Sequence, residues 1–263
     1  DGQYEEADPI LEQHSEKFPK SGYLEESSYY RGGNKVKLLD WASALPLLDA
    51  WLNKYPESSL RSFAILDVAT CHFANDDLDK CMARLDEIEQ RHANSEIYDR
   101  SLNLRGDVLQ AQTEWAASQE SYIKGKSLAE QSGHYQVAAE ALSQLVPVSI
   151  AQEKYKDAAG YYDEFIESYP GNFLEPQVVA TSLEALIHES VGRGQEGLDK
   201  LENIIDQLGR QENADLEKAV TKFGEVSVKL LGAEETIEKL KDMSTKGGQP
   251  QAVLAWLLVS RID

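Results

Sequence analysis

The sequence predicts an all-α fold, in which about six to seven helical hairpins stack into a right-handed superhelix. Three recurring features support this prediction: an aromatic or apolar residue every 37 to 40 positions, a small residue nine positions before it, and a Pro fifteen positions after it. One hairpin of this length cannot bury its apolar face alone, whereas neighbouring hairpins bury it between them. No segment alternates apolar and polar residues with the period of two that marks a β-strand.

The first feature follows a short polar turn and therefore predicts the start of the second helix in each hairpin. Its clear members are Tyr4, Trp41, Leu78, Trp115 and Tyr155, and the series continues more weakly at Gln195 and Ala233. The second helices are accordingly expected near residues 4–18, 41–55, 78–91, 115–130, 155–168, 195–208 and 233–245. Because the pattern runs through nearly the whole chain, residues 1–263 are interpreted as a single repeat domain.

The other two features indicate where helices touch and where they end. Small residues stand at Gly32, Ala69, Gly106 and Gly224. Their size lets two helices approach closely. The Pro feature appears as Phe18-Pro19, Tyr55-Pro56 and Tyr169-Pro170. Pro one position beyond a helix acts as a stop signal. Pro147 differs from these prolines, because it lies inside the helix predicted over 138–150, which is the first of the two helices of its hairpin. Pro147 is expected to kink or split that helix.

Together these features resemble the tetratricopeptide repeat family. The segment from Trp41 to Pro56 shows the match well, with Ala44, Leu48 and Trp51 at the positions of the family pattern. The period of 37 to 40 residues is longer than the family's period of about 34. The resemblance implies a solenoid whose first helices line a concave groove.

By the family's pattern, groove-facing positions fall at fixed offsets around the small residue of each first helix. Carried onto this sequence, they are Glu26, Tyr29, Phe63, Leu66, Thr70, Arg100, Asn103, Asp107, Gln110 and Ser143. For the apolar members, packing between repeats is the alternative role. For the polar stripe on the helix that holds Arg100, a solvated face without a partner is the alternative.

The sequence contains few residue patterns that are typical of a catalytic, cofactor or metal site. No two of the five His residues are spaced four apart, and no Gly-rich phosphate loop follows a strand. We therefore expect no enzyme activity, no cofactor and no metal site. Cys71 and Cys81 lie almost symmetrically about the turn at 75–77. Two small buried side chains are the favoured interpretation of this pair, and a disulfide is the alternative.

The net charge of the chain limits the kind of partner it can take. With 26 Lys and Arg against 46 Asp and Glu, the formal charge is −20, which disfavours binding to nucleic acid or to anionic membranes. A basic partner surface or simple solubility explains such a charge better. No apolar run reaches the 18 or so residues that a membrane-spanning helix needs.

The leading functional hypothesis is a non-catalytic scaffold that binds a peptide or partner protein in its groove. One alternative is the non-catalytic repeat region of a larger enzyme or regulator. Another is a self-assembly module, or homo-oligomer, that associates through the apolar run Pro250–Ile262. The chain begins with Asp1-Gly2 inside an apparent repeat and is interpreted as a fragment.

The repeat ends carry a further resemblance. The words at 55–58 and 18–21, Tyr-Pro-Glu-Ser and Phe-Pro-Lys-Ser, resemble repeat ends of bacterial envelope proteins with tetratricopeptide repeats. This resemblance implies a bacterial protein of the periplasm or envelope.

Overall fold

The computed structural model describes residues 3–209 and 214–262, and within these ranges it contains 14 α-helices and no strand. The residues Asp1-Gly2, interpreted above as the start of a fragment, lie outside the described residues. The helices are α1 (Tyr4–Lys17), α2 (Leu24–Lys37), α3 (Trp41–Lys54), α4 (Arg61–Ala74), α5 (Leu78–Arg91), α6 (Tyr98–Ala111), α7 (Trp115–Ser132), α8 (Tyr135–Ala151), α9 (Tyr155–Ser168), α10 (Glu175–Ile187), α11 (Gly194–Leu208), α12 (Ala214–Leu231), α13 (Ala233–Lys246) and α14 (Gln249–Ile262). No helix in the described part of the chain is long and apolar enough to cross a membrane.

The chain divides into two compact units, residues 1–137 and 138–263, and the division falls within α8. In the first unit α2 packs on α3, α4 on α5 and α6 on α7, while α2 also contacts α4 and α4 contacts α6. In the second unit α10 packs on α11 and α13 on α14, while α10 also contacts α12 and α12 contacts α14. Alternate helices therefore lie side by side within each unit, as the first helices of stacked hairpins do.

Close approach of the paired helices depends on the small residues. A methyl group at Gly32 would stand 2.6 Å from Cδ2 of Leu48, and one at Gly197 would stand 2.6 Å from Cδ2 of Leu183. Real side-chain carbons do not come that near, so any larger residue at either crossing would force these Leu side chains to shift. The positions three residues into the second helices are small or polar as well: Ala44, Cys81, Ser118 and Ala158 are all fully buried.

One turn conformation joins first and second helices repeatedly. Leu39, Asp76, Thr113 and Glu153 all have positive φ, and each lies two positions before the start of a second helix. In each turn the next N–H reaches back to a carbonyl five residues earlier, as Asp40 does to Lys35 at 2.9 Å and Glu114 does to Leu109 at 2.8 Å. This is the Schellman pattern that satisfies the last carbonyls of a helix.

Apolar side chains between the two helix layers form the core of each unit. In the first unit they include Trp51, Ile65, Leu85, Ile88 and Tyr122. In the second unit they include Leu142, Phe165, Leu183, Leu186 and Phe223. Buried Trp51 also donates its indole N–H to the carbonyl of Glu25 at 2.8 Å, which ties α3 to the start of α2.

The structure tests the expectations for Pro147 and for the pair Cys71 and Cys81. α8 continues from Tyr135 to Ala151 through Pro147, so the expected split does not occur. Residues on both sides of this proline, such as Leu145 and Val148, are fully buried, and their packing holds the helix together. Cys71 and Cys81 are free thiols in the core, and burial raises the pKa of each to about 12.

Candidate functional site

The face formed by the first helices of the hairpins is the candidate site, and we call it the inner face. In the first unit it comprises α2, α4 and α6. In the second unit it comprises the part of α8 from residue 138 onward together with α10, α12 and α14. Nine of the ten predicted groove residues lie in the first unit, and Ser143 lies in the second.

A buried carboxylate joins the first two helices of the inner face in the first unit. The hydroxyl of Tyr29 on α2 donates to Oδ2 of Asp67 on α4 at 3.0 Å, and Gly33 lies beside this pair. Burial raises the pKa of Asp67 to about 6, although the Tyr29 hydrogen bond and the charges of Lys37 and Arg100 act in the opposite direction. Tyr29, a predicted groove residue, is therefore mostly buried and engaged.

The polar stripe on α6 is formed by Arg100, Asn103, Asp107 and Gln110. Groups of α7 and α8 bind most of these side chains. The hydroxyl of buried Tyr122 on α7 lies 2.6 Å from Oδ1 of Asp107 and 3.0 Å from Oε1 of Gln110. The amide of Asn103 donates to the carbonyl of Val137 at 2.9 Å, at the start of α8. Burial raises the pKa of the Tyr122 hydroxyl, with the nearby Asp107 charge adding to the effect. Arg100 is the member of this stripe whose side chain lies in solvent.

The other predicted groove residues differ in exposure. Phe63 and Leu66 are half-buried and pack against the core of the first unit. Thr70 donates to the carbonyl of Leu66 at 2.9 Å, whereas Glu26 is exposed. The side chain of Ser143 is buried and donates to the carbonyl of Glu140 at 2.7 Å.

The inner face of the second unit contains a cleft of about 620 Å³, lined only by residues of α8, α10 and α12. We call this the second-unit cleft. Its apolar wall comes from Pro147 and Ile150 on α8 and from Pro176 on α10. The small side chains of Ala180 and Ala219 leave the space between the helices open. Apart from Pro147, the residues that form this concavity had no role assigned from the sequence.

Polar groups lie at defined places in the same cleft. α10 contributes Gln177, Thr181 and Glu184, and α12 contributes Lys218 and Lys222 one helical turn apart. The ammonium of Lys222 lies 4.0 Å from Glu225, and about a third of its side chain is exposed. Two features of the sequence could have indicated this site. Pro147 and Pro176 lie in first helices of hairpins, and Lys218 and Lys222 form a basic pair in an acidic chain.

Pro147 interrupts the regular hydrogen bonding of α8 beside the cleft. Because Pro has no N–H, it cannot donate to the carbonyl of Ser143, four residues earlier on α8. The side chain of Ser143, a predicted groove residue, is buried, and Ser143 does not line the cleft.

Groups that could carry catalysis are sparse on this face. Among residues 3–209 and 214–262 no three His, Cys, Asp or Glu side chains gather as metal ligands would. The closest acid–histidine pair joins buried Asp99 to Nδ1 of His134 at 2.6 Å, and Asp99 also accepts the backbone N–H of Arg100 at 2.7 Å. These contacts fasten the start of α6 to the turn before α8.

Comparison with solved structures identifies the architecture. A tetratricopeptide repeat protein from Parabacteroides merdae superposes with a TM-score of 0.60 over 99% of this chain and 93% of its own, at 11% sequence identity. The fold is that of the tetratricopeptide repeat proteins. No protein-family model matches the sequence, and no curated protein matches it either.

Two further solved structures share the tetratricopeptide repeat fold with this chain. PilF from Pseudomonas aeruginosa has a TM-score of 0.61 and 14% identity, and covers 88% of this chain and 97% of its own. The apo form of the quorum sensor NprR from B. thuringiensis has a TM-score of 0.61 and 13% identity, and covers 95% of this chain and 74% of its own. At these identities the likeness concerns the tetratricopeptide repeat fold alone.

Proposed function

We propose that this chain is a non-catalytic scaffold that holds a segment of a partner protein on its inner face. The observation that carries the proposal is the second-unit cleft, a concavity of about 620 Å³ lined by both apolar and polar groups. Ligand sites in proteins combine apolar walls with a few placed polar groups in this way. A tetratricopeptide repeat fold also occurs in a protein named as a quorum sensor, so the fold is compatible with recognition.

The inner face of the first unit, taken by itself, is a second surface on which we propose partner contact. Arg100 and Glu26 are exposed there, and Phe63 and Leu66 present half-buried apolar surface. Tyr29, Asp107 and Gln110 act through the hydrogen bonds that fix neighbouring helices. We also propose that residues 1–263 form a single repeat domain.

The test compares capture of partners by the native chain and by two tryptophan variants. Ala180→Trp places a large side chain in the second-unit cleft, where Ala180 is half-exposed. Ala116→Trp is the matched control, because Ala116 is exposed on the second helix α7, which does not contribute to the inner face. We expect Ala180→Trp to lose the partners that the native chain and the control retain, read by mass spectrometry. Equal capture by all three proteins contradicts the proposal.

A second candidate function, self-assembly, is favoured by the outer face of α14. Val253, Trp256 and Leu257 are 52%, 55% and 50% exposed on the side opposite buried Ala255 and Val259. α14 also lacks any acidic side chain among its described residues. An apolar stripe of this kind is favourable to cover with another helix.

The oligomeric state decides the second candidate. If α14 mediates self-association, the native chain sediments as an oligomer, and Trp256→Glu sediments as a monomer. Phe173→Glu is the matched control, because Phe173 is 72% exposed on the loop before α10. A native chain that stays monomeric at every concentration contradicts self-assembly.

A further inference from the structure

The first and last helices of the described chain are opposite halves of a hairpin. α1 begins at Tyr4, the first of the recurring residues that start second helices, so α1 is a second helix. α14 packs on α13 and also contacts α12, as successive first helices contact each other, so α14 is a first helix. Within residues 3–209 and 214–262 no helix precedes α1 and none follows α14. Each of these two helices is therefore the kind of partner that the other one lacks.

The ninth residue of a first helix marks the side that meets the second helix of the same hairpin. In three hairpins this residue lies against the second helix: Gly32 against Leu48, Gly106 against Tyr122, and Leu183 against Gly197. In α14 the ninth residue is Leu257, whose side chain is 50% exposed. The side of α14 on which a second helix would pack is therefore open.

The whole exposed stripe of α14 occupies positions that are buried elsewhere. Val253, Trp256 and Leu257 are the fifth, eighth and ninth residues of α14. The same three positions of α4 are fully buried: Ile65, Val68 and Ala69. The terminal repeat of a stacked array needs a polar outer face to stay soluble. α14 instead presents apolar side chains there, which favours a partner helix as the cover.

α1 is exposed on the complementary side. The fourth and eighth residues of the internal second helices are fully buried, as Ala44 and Leu48 are in α3. In α1 these positions are Ala7 and Leu11, which are only half-buried. Ile10 between them is 68% exposed. The side of α1 on which a first helix would pack is therefore apolar and open.

The charges at the ends of these two helices are complementary. In a hairpin the last turn of the first helix lies beside the start of the second, and Lys35 of α2 accordingly lies 3.8 Å from Asp40 at the N-cap of α3. α14 has Arg261 in its last turn and no acidic side chain. α1 has Glu5 and Glu6 in its first turn, and both are exposed. Pairing α14 with α1 brings these opposite charges together in the same way.

Building on self-assembly, the second candidate function proposed above, we infer that α14 of one copy packs against α1 of a second copy and completes a hairpin across the interface. Such a contact is heterologous, because each copy uses a different surface. Association therefore continues head to tail until a ring closes. A symmetric contact between two α14 helices would leave the apolar side of α1 exposed.

The test is complementation between two variants that each block one surface. Ile10→Glu places a charge on the α1 surface, and Trp256→Glu places one on the α14 surface; both side chains are more than half exposed, so the core stays intact. At concentrations where the native chain is oligomeric, each variant alone is expected to sediment as a monomer. Their equimolar mixture is expected to form a dimer, because the first variant retains α14 and the second retains α1.

Isotope labelling of one variant identifies the dimer, since native mass spectrometry then resolves one copy of each variant. Growth stops at the dimer because the two remaining surfaces both carry Glu. Phe173→Glu is the matched control and should assemble as the native chain does, because Phe173 is exposed on the loop before α10. Circular dichroism checks that all three variants keep their helices.

The outcomes separate this inference from self-assembly itself. If Trp256→Glu is monomeric but Ile10→Glu assembles as the native chain does, α14 pairs with itself, and the inference is overturned while self-assembly stands. A mixture of the two variants that stays monomeric also overturns the pairing of α14 with α1. A native chain that is monomeric at every concentration overturns both. The scaffold function is independent of all three results, because Ala180→Trp tests it on the second-unit cleft.

Discussion

The hydroxyl of Tyr122 donates a 2.6 Å hydrogen bond to the carboxylate of Asp107, and the ring that carries this hydroxyl lies directly against Gly106. A methyl group at Gly106 would stand 2.5 Å from Cε1 of Tyr122. In the same crossing the hydroxyl of Ser118 donates to the carbonyl of Gly106 at 2.9 Å. The small size of Gly106 thus lets α7 approach α6 closely, so that Tyr122 on α7 can bind polar side chains of the inner face.

The first prediction concerns this crossing. Gly106→Ala should destabilise the protein by about 1–3 kcal/mol, because the Tyr122 ring is fully buried and has no room to move. Gly160→Ala is the control, since Gly160 lies in helix α9 with no atom within 4 Å of the added carbon. The control should gain about 0.5–1 kcal/mol from helix propensity. Urea unfolding followed by circular dichroism measures both, and a stabilised Gly106→Ala variant would refute the packing account.

The second prediction concerns the recurrent turn. Thr113 has a φ of 61°, a conformation that costs a β-branched residue roughly 1–2 kcal/mol. Thr113→Gly should therefore raise the free energy of unfolding by about 1 kcal/mol. Gln112→Gly in the same turn starts from a φ of −82° and should give no gain. Equal shifts in urea midpoint for the two variants would mean that the turn is not strained.

The comparison of these positions shows why part of the fold is predictable from sequence. The all-α repeat fold is confirmed, and α3, α5, α7 and α9 begin at Trp41, Leu78, Trp115 and Tyr155. The signal was strong because stacking favours a small residue and a bulky one at fixed spacing, and this spacing recurs in several hairpins. The left-handed turn position carried no such signal, because Leu39 and Thr113 occupy it instead of Gly.

The candidate site was harder to predict for a physical reason. Family offsets placed Asn103 and Gln110 on the inner face, but their partners, Val137 and Tyr122, come from other helices. No local pattern within α6 indicates those partners. The second-unit cleft depends on three helices that are far apart in sequence, so its volume follows only from tertiary packing.

The third prediction is a pH dependence that arises from Asp67. In the folded protein its pKa is about 6, whereas an unfolded Asp titrates near 3.9. Between these values the folded state holds the proton more strongly, so this residue's favourable contribution to stability is complete below about pH 4 and is lost as the pH rises through 6. Asp67→Asn should therefore gain stability relative to the native chain as the pH rises from 4 to 8, by about 1–3 kcal/mol.

Urea unfolding of the native chain and of Asp67→Asn at several pH values measures this difference directly, because the other carboxyls cancel in the comparison. The Asn side chain can still accept the hydrogen bond from Tyr29. Asp79→Asn is the control, since Asp79 lies in solvent in the first turn of α5. A difference for Asp67→Asn that stays constant with pH would contradict a raised pKa in the folded state.

The fourth prediction sets stability against binding at Pro147. Pro inside a helix is roughly 3 kcal/mol less favourable than Ala, so Pro147→Ala should stabilise the protein by about 1–3 kcal/mol as the restored N–H bonds to the carbonyl of Ser143. The same change removes apolar surface from the second-unit cleft, so capture of a partner there should weaken. Thermal unfolding and the partner-capture assay measure the two effects.

Pro46→Ala separates these effects, because Pro46 lies inside α3 in the first unit and does not line the cleft. It should gain stability in the same way and leave partner capture unchanged. If both variants are stabilised but only Pro147→Ala captures the partner more weakly, the proline in α8 is retained at a cost in stability because it shapes the cleft. If Pro147→Ala is stabilised and captures the partner as well as the native chain does, the proline ring does not contribute to recognition.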